Sequence, residues 1–150
     1  MAKSGRIPVI DLFAGPGGLG EGFSALSNAD GRLVFRVCLS IEKESRAHET
    51  LQLRAFFRQF ESPDVPDEYY RFLRGELTQE LLFAAYPKAA TAAKDEAWHA
   101  ELGVTPSRDI NERITSALSA TDRWALVGGP PCQSDADAGR DGPVRGSINR

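Results

Sequence analysis

The stretch "RIPVIDLFAGPGGLGEGF" (Arg6–Phe23) decides the fold of this chain. Its first part, Arg6–Phe13, is rich in Ile and Val and too short for a helix, which indicates a strand. Four glycines follow within the six residues from Gly15 to Gly20. From Leu19 onward apolar residues recur at helical spacing, so the sequence predicts a helix that begins inside the glycine stretch.

The glycine stretch "GPGGLG" matches G-x-G-x-x-G at Gly15, Gly17 and Gly20, between a strand and a helix as the motif requires. Glycines permit positive φ and let a ligand approach bare backbone, and the helix N-terminus favours an anionic group. Glu42 ends the next apolar run, 22 positions after Gly20, where an acid that binds ribose hydroxyls is expected. Nicotinamide, flavin and S-adenosylmethionine cofactors all remain compatible with this pattern.

The rest of the chain continues an alternation of strands and helices. Arg32–Ile41 is a nearly continuous apolar strand, which is typical of a parallel sheet covered on both faces. A helix at Arg108–Leu118 and a strand at Arg123–Gly129 follow. Between them, about 61–106 is rich in Ala, Leu, Glu and aromatic residues, which predicts an insertion of two or three short helices with packing aromatics. We therefore expect an α/β, Rossmann-like, doubly wound and mostly parallel sheet with a helical insertion.

Composition narrows the functional classes only modestly. No apolar run approaches the ~20 residues of a membrane span, and the two cysteines match neither a disulfide framework nor a zinc spacing. We therefore expect a cytoplasmic protein without a metal site and without membrane association. A net charge of −3 supplies no electrostatic argument for a nucleic-acid partner.

One of the two cysteines, Cys132, stands directly behind Pro130 and Pro131 at the exit of the last strand. Two prolines stiffen this exit because their φ is fixed. A cysteine held at the carboxyl edge of the sheet, beside a nucleotide-like cofactor, suggests a nucleophile. An inert, buried cysteine fits the position equally well. Cys38 lies inside a strand and is predicted to be of the inert kind.

Three segments resemble the cytosine-5 DNA methyltransferases, in the order of that family: "DLFAGPGGLGEGF", "SIEKESRAHETL" and "LVGGPPCQ". "RDI" (Arg108–Ile110) also resembles a family segment that contacts the cofactor adenine. A second interpretation of this site is equally open, since Asp109 followed by Glu112 fits an N-terminal capping box.

The resemblance implies a reaction on double-stranded DNA with S-adenosylmethionine as methyl donor. The target cytosine is flipped out of the duplex, the Cys132 thiolate attacks ring carbon C6, and C5 takes the methyl group. By the same resemblance, the cofactor is bound by Phe13, Gly15, Gly17, Gly18, Glu42, Asp109, Ile110 and Pro131.

The resemblance covers Ile7–Phe60 and Arg108–Arg140. Where the family has an aromatic residue and a serine after its Pro-Cys-Gln, this chain has Asp135 and Ala136, and an acid near phosphate is unfavourable. The family's later motifs and its target-recognition domain have no counterpart. We therefore expect residues 1–150 to be the N-terminal part of a methyltransferase catalytic domain that does not methylate DNA alone.

Two other functions remain open at this point. An NAD(P)-dependent oxidoreductase would explain the glycine turn and Glu42, but it leaves Pro-Pro-Cys-Gln without a role. A catalytically degenerate module that binds cofactor or DNA would explain Asp135 and Ala136.

Overall fold

A computed structural model describes residues 5–61, 63–119 and 121–129 of the chain. In these ranges the elements are β1 (Ile7–Leu12), α1 (Gly18–Ala25), β2 (Phe35–Glu42), α2 (Ser45–Phe57), α3 (Asp67–Leu73), α4 (Gln79–Ala85), α5 (Pro87–Glu96), β3 (Ala97–His99), α6 (Ser107–Leu118) and β4 (Ala125–Gly128).

The four strands form one parallel sheet in the order β3-β2-β1-β4. The strand order changes direction at β1, because β2 lies on one side of it and β4 on the other. The sheet with its six helices in the described ranges is an incomplete Rossmann-like α/β fold, which confirms the fold class predicted from the sequence.

The two faces of the sheet carry separate apolar clusters. On one face, α6 packs against the fully buried side chains of Ile10, Leu39 and Ile41. A second cluster joins α2, α4 and α5, where Phe56 stacks on Phe83 with ring centroids 5.0 Å apart. Burial on both faces explains why β1 and β2 are apolar almost throughout.

The predicted helical insertion contains three helices, α3 to α5. Its aromatic residues pack as expected: Tyr69 lies against Phe57 at 5.0 Å and Tyr86 against Phe60 at 5.7 Å between ring centroids. The same segment also supplies β3, which the sequence analysis missed. β3 has three residues and follows α5 directly, so it offers no alternation from which a strand can be read.

In the described part of the chain, no helix combines the length and apolar character that crossing a membrane requires.

Gly17 is the glycine of the turn that the packing most clearly requires. Its φ is +93°, and a Cβ at this position would lie 2.9 Å from Leu51 Cδ1. Gly17→Ala is therefore expected to lower the free energy of unfolding by about 1–3 kcal/mol. Gly22 lies inside α1 with no atom within 4 Å of an added Cβ, so Gly22→Ala is expected to raise it by up to about 1 kcal/mol. Urea denaturation of both variants measures the difference, and equal effects would contradict this assignment.

Candidate functional site

The glycine turn joins the carboxyl end of β1 to the start of α1. The backbone enters the left-handed region at Phe13 (φ +56°), Gly15 (φ +57°) and Gly17 (φ +93°). The Gly17 N–H donates to the Ala14 carbonyl at 3.0 Å and closes the turn. α1 begins at Gly18, and its N-cap residue, Gly17, supplies no side-chain cap. The N-terminus of α1 therefore has backbone N–H groups that no capping side chain satisfies.

The carboxylate of Glu42 holds this turn from the neighbouring strand. Glu42 Oε2 accepts the Gly15 N–H at 2.7 Å, while Oε1 accepts the N–H groups of Lys43 (2.9 Å) and Glu44 (2.7 Å). The structure thus brings together the two motif elements that the sequence analysis paired. A carboxylate has about four acceptor positions, so three bonds leave room for about one further donor.

The glycines of the turn divide into two groups by what surrounds them. A Cβ added at Gly15 or Gly18 would meet no atom within 4 Å, so both border open space. At Gly20 it would lie 3.5 Å from Val37 Cγ2 and 3.6 Å from Asp11 Oδ2, because α1 packs closely on the sheet there. Gly15 and Gly18 therefore form the side of the turn that a ligand can approach, and Gly20 serves packing.

Asp109 and Ile110 lie in the first turn of α6. Ile110 packs against the apolar cluster beneath the helix, and Asp109 is exposed. The capping box predicted here is wrong: the N-cap residue is Pro106, no side chain caps the helix, and Glu112 instead accepts from Arg108 Nε at 2.8 Å. Contact of Asp109 and Ile110 with a cofactor remains a prediction.

Cys132 and Pro131 lie outside the described residues. The last described strand, β4, pairs in parallel with β1 and places Gly128 beside Leu12. A Cβ at Gly128 would come within 2.5 Å of the Leu12 carbonyl oxygen, so the two strands end in close contact. The described part of the chain therefore leaves β4 at the sheet edge that carries the glycine turn.

Two buried polar side chains beneath the turn were not singled out by the sequence analysis. Asp11 on β1 and Ser40 on β2 are partners in register, and both are fully buried. Within the described residues, neither Asp11 oxygen nor Ser40 Oγ has a hydrogen-bond partner. Burial raises the pKa of Asp11, and the nearby Gly20 N–H and Arg58 oppose that rise. The sequence does contain a signal for this site, because Asp11 is an acidic residue inside an otherwise apolar strand.

A partly buried ion network lies close to this pair. Arg58, which follows α2, donates to Glu21 on α1 and to Glu96 at the end of α5. Burial raises the pKa of Glu96, while Arg58 acts to lower it. One guanidinium thus joins three helices around the base of α1. Among the described residues, no group of three His, Cys, Asp or Glu side chains is arranged to hold a metal ion.

Comparison with known proteins identifies a relative with a named function. This chain is similar to a methyltransferase. It is 30% identical over 149 residues to the Type II methyltransferase M.Bpa9945I of Bacillus paralicheniformis, across 88% of this chain and 32% of that protein. The chain therefore spans about a third of the length of the relative. No family model and no solved structure matches. The likeness supports a methyltransferase family and leaves the modified atom unassigned.

The buried Asp11 carboxyl predicts a specific pH dependence of stability. Because burial raises its folded-state pKa above the ordinary value of 3.8, the folded protein binds this proton more tightly than the unfolded chain. That stabilisation is complete below about pH 3.8 and is lost as pH rises through the folded-state pKa. Asp11→Asn remains neutral, so its free energy of unfolding relative to wild type is expected to increase from pH 3.5 to pH 7.

Urea denaturation across this pH range measures the effect. Asp30→Asn, on an exposed turn, is the matched control and should follow the wild-type profile. A pH-independent difference between Asp11→Asn and wild type would show that the Asp11 carboxyl does not titrate differently in the folded protein.

Proposed function

We propose that this chain is the N-terminal part of an S-adenosylmethionine-dependent methyltransferase that acts on C5 of cytosine in double-stranded DNA. The observation that carries the proposal is the hydrogen bond between Glu42 and Gly15 at the uncapped N-terminus of α1. Pro-Pro-Cys-Gln follows β4, whose end lies beside the same turn. The likeness to a methyltransferase across 88% of the chain supports the methyl-transfer part of the proposal.

Glu42 and the glycine turn fit two parts of such a cofactor, its ribose and its amino-acid carboxylate. Glu42 retains acceptor capacity for a ribose hydroxyl, and Gly15 and Gly18 border open space wide enough for added atoms. The α1 N-terminus suits an amino-acid carboxylate as well as it suits a phosphate. S-adenosylmethionine, when bound, supplies an electrophilic methyl group. The methyltransferase relative and the otherwise unexplained Pro-Pro-Cys-Gln favour it over a nicotinamide cofactor.

Cys132 is assigned the nucleophile in this proposal. Its thiolate forms a bond from Sγ to C6 of the flipped cytosine, which places the electron pair of the C5–C6 bond on C5. C5 would become nucleophilic and would take the methyl group, while the S–CH3 bond of the donor breaks and S-adenosylhomocysteine is left. Transfer of the C5 proton to a base, such as hydroxide from solvent, would then restore the double bond and expel the Cys132 thiolate. A free thiol with a pKa of about 8.5 is only a few per cent ionised at neutral pH, so the site must favour the thiolate.

The proposal makes a direct prediction about ligand binding. S-adenosylhomocysteine is expected to bind in isothermal titration calorimetry, and NAD is not. Glu42→Ala is expected to weaken binding about tenfold or more, since it removes both the ribose acceptor and the bond to Gly15. Glu49→Ala, an exposed glutamate on α2, serves as the control and should leave affinity unchanged. Preferential binding of NAD would support the oxidoreductase instead.

A second prediction tests Cys132. DNA that contains 5-fluorocytosine cannot lose its C5 substituent as a proton, so an attacking thiolate stays attached. The full-length enzyme to which this segment belongs under the proposal is expected to form a denaturant-resistant adduct that Cys132→Ser abolishes. The 150-residue chain alone is expected to release no methylated DNA. If the full-length enzyme binds cofactor and DNA without an adduct, the degenerate binding module is the better description.

A further inference from the structure

Two histidine rings stack on each other beside the end of β2, where Glu42 lies. His48 lies on α2 and His99 ends β3, with ring centroids 4.9 Å apart and planes 26° from parallel. His48 Nε2 lies 3.1 Å from the Ala97 carbonyl oxygen. Because a carbonyl only accepts, His48 donates this hydrogen bond. The stack and the bond fix α2 to β3.

The second ring reaches the backbone next to Glu42. His99 Nε2 lies 2.8 Å from the Lys43 carbonyl oxygen, so His99 also donates through Nε2. Glu42 and His99 are partners in register between β2 and β3. The backbone that turns away from β2 after Glu42 is therefore attached to the end of β3 by a side chain.

The position of this backbone determines where the Glu42 carboxylate points. Glu42 Oε1 accepts the N–H groups of Lys43 and Glu44, both in the segment that His99 holds. Its other oxygen, Oε2, accepts the Gly15 N–H. A shift of residues 43–44 would move the donors of Oε1 and with them the bond from Oε2 to the glycine turn.

We propose that His99 is a positioning residue for the carboxylate of Glu42, and that His48 orients the His99 ring by stacking on it. The role of Glu42 as ribose acceptor rests on the function proposed above. The positioning itself concerns bonds within the chain and requires no ligand. The test therefore follows the Gly15 amide, because its hydrogen bond to Glu42 is the last of the contacts that begin at His99.

The test compares three substitutions at one position by amide hydrogen exchange of the full chain, followed by NMR. His99→Gln keeps a donor at the place of Nε2 without the ring, and His99→Phe keeps a stacking ring without a donor. His99→Ala keeps neither. The Val9 amide on the central strand reports the stability of the whole sheet, so the ratio of Gly15 to Val9 protection isolates the local effect.

We expect His99→Ala and His99→Phe to lower this ratio about three- to tenfold, the loss that one ordinary hydrogen bond predicts. His99→Gln should restore most of it. An unchanged ratio in His99→Phe, or equal losses at Gly15 and Val9, would overturn the proposal. S-adenosylhomocysteine titration of the wild-type chain tests the proposed function separately, since absence of binding leaves the exchange result intact.

Discussion

The hydrogen bond from the Gly15 N–H to the Glu42 carboxylate is the constraint on which the candidate site depends. It joins the ends of two neighbouring parallel strands at 2.7 Å, across 27 positions of sequence. The Ala14 N–H adds a second link to the Ile41 carbonyl at 3.0 Å. Together these bonds fix the direction in which the chain leaves β1, and so determine where the N-terminus of α1 lies.

The backbone conformation of the glycine turn is unfavourable by itself, so contacts with the rest of the fold must stabilise it. Phe13 has a φ of +56°, which for a residue with a side chain costs about 1–2 kcal/mol. The N-terminus of α1 also lacks a side-chain cap, which with a glycine at the N-cap costs a few tenths of a kcal/mol. Packing offsets these costs: Gly17 allows Leu51 to approach, and Gly20 allows α1 to rest on Val37. The strain is concentrated where a ligand is expected, as is common for binding sites.

Much of the fold could be predicted from the sequence because its signals are local. The strand, glycine turn and helix of Arg6–Phe23 follow from composition and spacing within eighteen residues. β3 could not be predicted, since three residues carry no periodicity and only pairing with Ser40–Glu42 makes them a strand. The capping box at Asp109 failed for a related reason: its residue types were suitable, but the N-cap of α6 lies three residues earlier, at Pro106.

The sequence identified the residues of the candidate site, but it did not show which of them border open space and which serve packing. The sequence analysis gave the motif glycines one shared role, yet Gly15 borders open space while Gly20 faces the buried Asp11 carboxyl. This division agrees with the motif itself, whose third glycine allows the helix to pack closely on the strand. Burial raises the pKa of Asp11, while the Gly20 N–H in the first turn of α1 and the charge of Arg58 act to lower it. An anionic ligand at the N-terminus of α1 would add a negative charge near this carboxyl. Ligand binding and the protonation of Asp11 are therefore expected to be coupled, with the proton held more firmly when the anion is bound.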